Sequence, residues 1–503
     1  MSHGAQSTMK RTILIYVTLI SLFGLGMYLT LHHGRHLLPP TASASVSATI
    51  AHAASASSSS ASSLLSALNE NAKGPLSRLL LQVIVIMVAT RAVGTLFAWF
   101  GQPPVIGEMA AGILLGPSLL GWLWPQAFSF VFPQESMGFL QLLSQIGVCL
   151  FMFVVGMELE LSGLRRNTDK ILLISHASIM FPFLLGSVAA LYLYPQYAAP
   201  GASLPAFTLF MGIAMSITAF PVLVRILEAR GIAKTSLGAT AITCAAVGDA
   251  TAWGILAFVV AIARATGLLS TIFSLGLVVL FVALMLWTVR PRLLHWLGLE
   301  RTRDFLPGRG AIAAALLIMT TSALATEVIG IHALFGAFLA GVIMPRKKNF
   351  LDYVVVRLEN FGSLFLLPLF FAFSGLRTHV GLLNGTTSWL VCLAIIGIAA
   401  VGKLGGTMVS ARLTGLDWKN AFSLGALMNT RGLVELVALN IGYDLGILSP
   451  SIFSMMVLMA LLTTFLTSPL LSLAEHMKRR AVTVIAAPQR EQRDQAPALL
   501  RKS

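Results

Sequence analysis

Asp249 lies near the middle of an apolar run from about Leu237 to Ile262, with no other charge within a helical turn of it. A run of that length crosses a bilayer. A carboxylate at such depth costs ~2.5–3.5 kcal/mol on insertion scales, and it normally faces a bundle interior or a water-filled path. It can take up a proton, or it can replace part of a cation's water shell. Burial penalises the charged form, so the two compete. The partner of Asp249 must come from another segment. Lys403, in Ala399-Ala400-Val401-Gly402-Lys403-Leu404-Gly405-Gly406, stands nine residues before Arg412. It either snorkels to the interface or faces the Asp249 site as a cation. Arg431 and Glu435 are one helical turn apart and can pair. Glu108, flanked by Gly107 and Gly112, serves either a structural hydrogen bond or transport.

The elements that carry these residues are membrane helices. Apolar residues make up 56% of 503 and charged ones 11%, with mean hydropathy +0.84; a soluble chain carries about a quarter charged residues. Lys10-Arg11 precede an apolar stretch, Thr12 to Leu31, which reads as a signal anchor or signal peptide with Ala42-Ser43-Ala44 as a cleavage pattern. An Ala/Ser-rich linker follows from Thr41 to Ser66, so residues 1–75 precede the membrane domain. Thirteen further apolar segments lie near 76–100, 104–121, 138–157, 170–194, 204–227, 236–262, 268–289, 310–327, 331–345, 358–376, 387–410, 418–442 and 450–474. They give a membrane domain over 76–476 and a basic tail over 477–503.

The net charge of +15 reports topology rather than nucleic-acid binding. Alternate junctions are basic: Arg165-Arg166; Arg225, Arg230 and Lys234; Arg290, Arg292, Arg301, Arg303 and Arg309; Arg346-Lys347-Lys348; Arg412 and Lys419; Lys478-Arg479-Arg480. The intervening junctions are poor in Lys and Arg, with Arg264 and Arg377 as single exceptions. The positive-inside rule then places the C-terminus in the cytoplasm of an inner (plasma) membrane protein. Cys149, Cys244 and Cys392 share no metal spacing and read as packing residues. His176 and His332 read as helix-contact or interfacial residues, and Arg91 has no evident partner. No cofactor is expected.

The chain repeats itself. Ile106-Gly107-Glu108-Met109-Ala110-Ala111-Gly112-Ile113-Leu114 in the second segment is echoed by Phe335-Gly336-Ala337-Phe338-Leu339-Ala340-Gly341-Val342-Ile343 in the ninth. Leu150-Phe151-Met152-Phe153-Val154-Val155-Gly156 in the third is echoed by Leu369-Phe370-Phe371-Ala372-Phe373-Ser374-Gly375 in the tenth. The members of each pair lie seven segments apart, an odd number, so the halves run through the membrane in opposite senses. Six helices form each half and the seventh segment joins them. The fifth and twelfth segments are interrupted at matching places, by Pro221 and by Arg431-Gly432. Interruptions so placed are the best sequence pointer to an ion site. Ser216, Thr218, Asn429, Thr430 and the freed carbonyls can line a polar cavity there.

Four strings carry a family resemblance: Ser216-Ile217-Thr218-Ala219-Phe220-Pro221-Val222-Leu223, Asp249-Ala250-Thr251-Ala252-Trp253, Pro368-Leu369-Phe370-Phe371-Ala372-Phe373-Ser374-Gly375-Leu376 and Met428-Asn429-Thr430-Arg431-Gly432-Leu433-Val434-Glu435-Leu436. From about Leu76 to Leu473 the chain resembles the monovalent cation:proton antiporter superfamily, in particular the branch of plant cation/proton exchangers and bacterial potassium efflux antiporters. The resemblance implies an all-α sodium/proton antiporter fold with two inverted six-helix repeats, crossed broken helices and a homodimer. It puts the transport aspartate on Asp249 and the characteristic lysine on Lys403. Gly248 departs from the pattern, because relatives usually have Asp, Asn or Gln before that aspartate. A large cytosolic regulatory domain of some relatives is not expected after Arg480.

The expected function is exchange of a monovalent cation, K⁺ or Na⁺, for protons by competition at Asp249, one for one, with no enzymatic step. The family branch alone favours K⁺. The alternatives are a non-transporting sensor and a channel-like cation path, which would want a lined pore. An intramembrane aspartyl protease needs two aspartates in facing helices. Here Ala246 replaces the first glycine of its Gly-x-Gly-Asp motif, and no second aspartate lies at similar depth.

Overall fold

The structure is a computed structural model that describes residues 74–159, 168–264, 268–296 and 309–494. The segment Thr12–Leu31, the linker Thr41–Ser66, and Arg165, Arg166, Arg301 and Arg303 lie outside the described residues. The chain divides into units Met1–Arg78 and Leu79–Ser503, and the second carries the membrane helices.

The sixteen principal helices are α1 (Pro75–Trp99), α2 (Pro104–Leu115), α3 (Gln134–Glu158), α4 (Thr168–Tyr197), α5 (Leu204–Ala214), α6 (Phe220–Ala229), α7 (Ser236–Arg264), α8 (Leu268–Ala283), α9 (Arg309–Ile329), α10 (Ala333–Val342), α11 (Lys348–Phe361), α12 (Leu367–Leu376), α13 (Thr386–Leu413), α14 (Trp418–Met428), α15 (Leu433–Asp444) and α16 (Pro450–Asp494). Among the described residues ten helices are long and apolar enough to span a membrane. The bent pair α14–α15 makes eleven, and α5 and α10 are shorter apolar helices. All thirteen apolar segments fall on helices.

The repeat shows as a pair of matched crossings. Helix α2 packs on α12, and α10 packs on α3. A Cβ on Gly112 would lie 2.3 Å from the Ala372 carbonyl oxygen, and one on Gly375 would lie 2.6 Å from the Gly112 carbonyl carbon. At the other crossing a Cβ on Gly341 would lie 2.1 Å from the Phe153 carbonyl oxygen, and one on Gly156 would lie 2.3 Å from that of Phe338. The glycines that echo one another in sequence thus make equivalent contacts. Gly107 against the Val93 carbonyl (2.7 Å) and Gly336 against that of Ser322 (2.1 Å) form a third such pair. Small residues are what let membrane helices approach backbone to backbone.

The tenth segment is longer than its apolar run. Asn349 to Leu382 forms one continuous span, passing from α11 through a π-helical turn, Gly362–Leu366, into α12. Helix α11 buries Phe350, Val354 and Leu358, spaced at i, i+4 and i+8, while Asp352 and Arg357 are exposed. The charges on one face hide this amphipathic helix from a search for apolar runs. Arg91 also has a partner: its Nη2 donates to the Leu364 carbonyl inside that π-helical turn (2.9 Å).

The glycine crossings generate a prediction. Gly341→Val forces the α3 and α10 backbones apart, an overpacking that costs about 1–3 kcal/mol or more. Thermal unfolding in detergent is expected to fall by several degrees. Gly276→Val, where a Cβ meets nothing within 4 Å, is expected to unfold like the parent.

Candidate functional site

The fifth segment is helical as α5 up to Ala214 and resumes at Phe220 as α6; the twelfth stops at Met428 and resumes at Leu433 with a 45° bend. Pro221 opens α6, at a first-turn position where its missing N–H leaves no helical bond unmade. The two interruptions are hydrogen-bonded to each other. The Ala219 N–H donates to the Thr430 carbonyl (3.0 Å), and Thr218 Oγ1 donates to the Met428 carbonyl (3.1 Å). A Cβ on Gly432 would lie 2.8 Å from Val222 Cγ2.

An interrupted helix leaves carbonyls without donors at one end and N–H groups without acceptors at the other. Two buried cations supply the donors for α5. Lys403 Nζ donates to the Ser216 carbonyl and to the Ser178 carbonyl of α4 (3.0 Å). Arg431 donates through Nη1 to Ala214 (2.9 Å) and through Nη2 to Met215 (2.7 Å). Both side chains are fully enclosed. Lys403 therefore sits inside the protein rather than at the interface.

Carboxylates occupy the other ends. Asp249 is 2% exposed, and its Oδ2 accepts from the Phe220 N–H at the start of α6 (3.3 Å). Its Oδ1 is buried without a hydrogen-bond partner. Glu435, in the first turn of α15, pairs with Arg431 at 3.3 Å, while its Oε2 makes no hydrogen bond. Anions thus stand at the positive ends of half-helices and cations at a negative end, as the helix dipole favours.

The polar residues of the interruptions are mostly spoken for. Ser216 Oγ donates to the Gly212 carbonyl (2.7 Å) and Thr430 Oγ1 to that of Leu427 (2.7 Å). Asn429 Nδ2 reaches the Thr463 carbonyl of α16 (3.5 Å), and its Oδ1 is buried without a partner. Thr464 Oγ1 accepts from the Arg431 N–H (2.9 Å) and donates to the Arg431 carbonyl (3.0 Å). The α16 hydroxyls carry no signal of their own in the sequence. Gly248 leaves room beside Asp249: the one atom within 4 Å of a Cβ there is Ser175 Oγ, at 3.4 Å. Glu108 is half-buried on α2, away from this group, with Arg225 and Arg91 as the charges that reach it.

Two clefts open into the helix bundle, and one of them reaches the group. One, of about 820 Å³, opens beside the basic junctions and is lined by Glu158, Arg225, Glu228, Arg346, Asp352 and Glu359. Its lining includes Phe220, whose N–H holds Asp249. The other, of about 580 Å³, is lined by Gln141, Arg264, Glu327, His332 and Asp444 among others. Near it Arg377 Nη1 binds Asp444 Oδ1 at 2.7 Å and donates to Asn440 Oδ1 (3.0 Å); Gln141 Nε2 donates to Asp444 Oδ2 (3.3 Å). These bonds tie α15 to α12 and α3. One turn into α10 beyond Ala333, Phe335 and Phe338 pack on Trp253, with ring centroids 5.3 and 6.0 Å away.

Comparison with known proteins agrees with this architecture. A family model described as "Sodium/hydrogen exchanger, transmembrane" matches residues 83–473. The chain is 43% identical to the Na(+)/H(+) antiporter NhaS4 of Synechocystis sp., over 78% of this chain and 96% of that one. It is 39% identical to cation/H(+) antiporter 17 of Arabidopsis thaliana, over 78% and 48%. It is 33% identical to K(+)/H(+) antiporter 1 of Saccharomyces cerevisiae, over 82% and 48%. The chain therefore spans about half the length of the plant and yeast relatives. In structure it is similar to the sodium proton antiporter MjNhaP1 from Methanocaldococcus jannaschii, with a TM-score of 0.56 at 15% identity, covering 79% of this chain and 98% of that one. The matched glycine crossings and the facing helix interruptions are thus features of a multi-pass membrane protein that belongs to the sodium/hydrogen exchanger family, within the monovalent cation:proton antiporter superfamily.

Proposed function

We propose that this protein exchanges a monovalent cation, Na⁺ or K⁺, for protons, and that the two compete for Asp249. The observation that carries the reading is the placement of that carboxylate. Its Oδ2 is anchored by the Phe220 N–H while Oδ1 is uncommitted, and Phe220 lines the larger cleft. A cation reaching Oδ1 finds a negative charge with no competing side-chain donor on that oxygen. A proton on Asp249 removes the charge that holds the cation. Relatives named for Na⁺ and for K⁺ both match, so both ions stand in the proposal. Thr218, Ser216, Thr430 and Asn429 frame the site, with Lys403, Arg431 and Glu435 fixing the interruptions. Further parts of the reading are a homodimer in the inner (plasma) membrane, a membrane domain over residues 76–476 and a cytoplasmic C-terminus.

The clefts support alternating access. The larger one lies on the side of the basic junctions, which the positive-inside rule assigns to the cytoplasm. On the opposite side the Arg377–Asp444 pair, Asn440 and Gln141 hold α15 against α12 and α3. A channel reading lacks such an observation, and Trp253 is packed against Phe335 and Phe338.

Three outcomes are expected in proteoliposomes. Asp249→Asn is expected to reduce cation-driven recovery of a pH gradient to background while the purified protein unfolds at the parent temperature; parent-like exchange at any pH would refute the reading. Breaking the outer contact with Asp444→Asn removes an interaction of about 1 kcal/mol, which is expected to raise labelling of a cysteine placed at Gln145 by an impermeant external reagent about fivefold. The exchange Arg377→Asp with Asp444→Arg is expected to restore parent labelling. Finally, a single acid beside Gly248 implies one proton per cation and electroneutral exchange. Sodium-driven proton flux is then expected to be the same at zero potential and near −100 mV set by K⁺ and valinomycin, whereas net charge movement would couple to about 2.3 kcal/mol per 100 mV. Gly248→Asp, whose Cβ would meet only Ser175 Oγ within 4 Å, is expected to make the flux voltage-dependent.

A further inference from the structure

Lys403 reaches across from α13 to a backbone carbonyl of α4, and α4 contains a proline at the position that matters for that carbonyl. In an α-helix the carbonyl of residue i accepts from the N–H of residue i+4. The Ser178 carbonyl would accept from residue 182, which is Pro182, inside the continuous helix Thr168–Tyr197. Proline has no N–H. Ser178 is fully buried, and a buried carbonyl without a donor is costly. The donor it has is Lys403 Nζ, at 3.0 Å.

The same proline lies at the point where the two helices touch. A Cβ on Gly402 would lie 3.0 Å from Pro182 Cα and 3.2 Å from Pro182 Cβ. One turn on, a Cβ on Gly406 would lie 2.7 Å from Phe181 Cβ. The contact between α4 and α13 is therefore close because residues 402 and 406 have no side chains, and Lys403 projects from this contact. The break one residue beyond Met215 supplies its second acceptor, the Ser216 carbonyl. Ser216 Oγ, whose single proton is shared between the Gly212 carbonyl and the next α4 carbonyl, lies 3.0 Å from that of Ile179. The proline turn of α4 and the interruption after α5 thus face each other across the lysine.

We propose that Pro182 is a positioning residue for transport: by leaving the Ser178 carbonyl without a helical donor, it creates the acceptor that holds the Lys403 ammonium beside the Asp249 group. The inference rests on the reading of that group as the exchange site. An ammonium donates a stronger hydrogen bond than a neutral amine, so a carbonyl reserved for Lys403 favours one of its protonation states over the other. Arg431, Asp249 and Glu435 are the charges that face Lys403, and the pH profile of exchange is sensitive to residue 182 through its hold on the lysine, although Pro182 touches neither cation nor proton.

Pro182→Ala returns an N–H to the helix, which competes for the Ser178 carbonyl. Two measurements test the linkage. In the Pro182→Ala variant alone, the midpoint of exchange against pH is expected to move by about half a unit or more; a parent profile would overturn the proposal. The second is a thermal-unfolding cycle with Lys403→Ala, which needs no transport. Removing Lys403 orphans the Ser178 carbonyl, and the N–H restored at position 182 gives it a donor again. The gain in unfolding temperature from Pro182→Ala is therefore expected to be larger in the Lys403→Ala background than in the parent, by a few degrees. Equal gains in both backgrounds would overturn the linkage while leaving Asp249 as the exchange site untouched. Loss of exchange in Asp249→Asn is read independently of either result.

Discussion

A backbone group inside a bilayer must find its partner within the protein. The whole centre of this molecule follows from breaking that rule's easiest solution twice. Helices α5–α6 and α14–α15 are each interrupted in the membrane domain, and each interruption exposes carbonyls on one side and N–H groups on the other. The chain meets this demand with charge. Lys403 and Arg431 cap the carbonyl end of α5; Asp249 accepts from the first N–H of α6. The groups proposed for transport are the same groups that make the irregular backbone tolerable. Side chains with no part in ion chemistry, such as Thr464, complete the set.

The frame around this centre uses the opposite means. Helices α2, α3, α10 and α12 meet through glycine, with no charge at the crossings. Every residue of α12 is buried, and so is the run Leu150 to Met157 on α3. The centre is thus held by charge and hydrogen bonds, and the frame by shape. The ionic contact between α15 and the frame lies at the last residue of that helix, Asp444, which pairs with Arg377.

How far the sequence discloses this depends on the range of each interaction. The thirteen apolar segments, the two interruptions and the glycine echoes are local patterns, and all appear in the fold. The Arg431–Glu435 pair is legible because its members are four residues apart. The further partners of Arg431 are not, since Ala214 is 217 residues away. Arg91 has no partner on its own helix because its acceptor is a carbonyl of a π-helical turn 273 residues later. Pro182 looks like any tolerated membrane proline until the residue facing the Ser178 carbonyl is known. The helix Lys348–Phe361 escapes for a different reason, as its charged face interrupts the apolar run by which membrane helices are found. The hydroxyls near Asp249 read as open ligands in the sequence; in the structure they donate to carbonyls, because an interrupted helix makes local acceptors available.

The span of 217 residues between Arg431 and Ala214 has a consequence for biosynthesis. Ribosomes add about 5–20 residues per second, so the end of α5 waits roughly 10–40 s for the guanidinium that satisfies it. Lys403, at 187 residues from Ser216, arrives only slightly sooner. During that interval the first half is inserted with its central carbonyls lacking their final donors, and it cannot reach its finished packing before the second half emerges. The nascent protein is thus held in an incomplete state by its own topology.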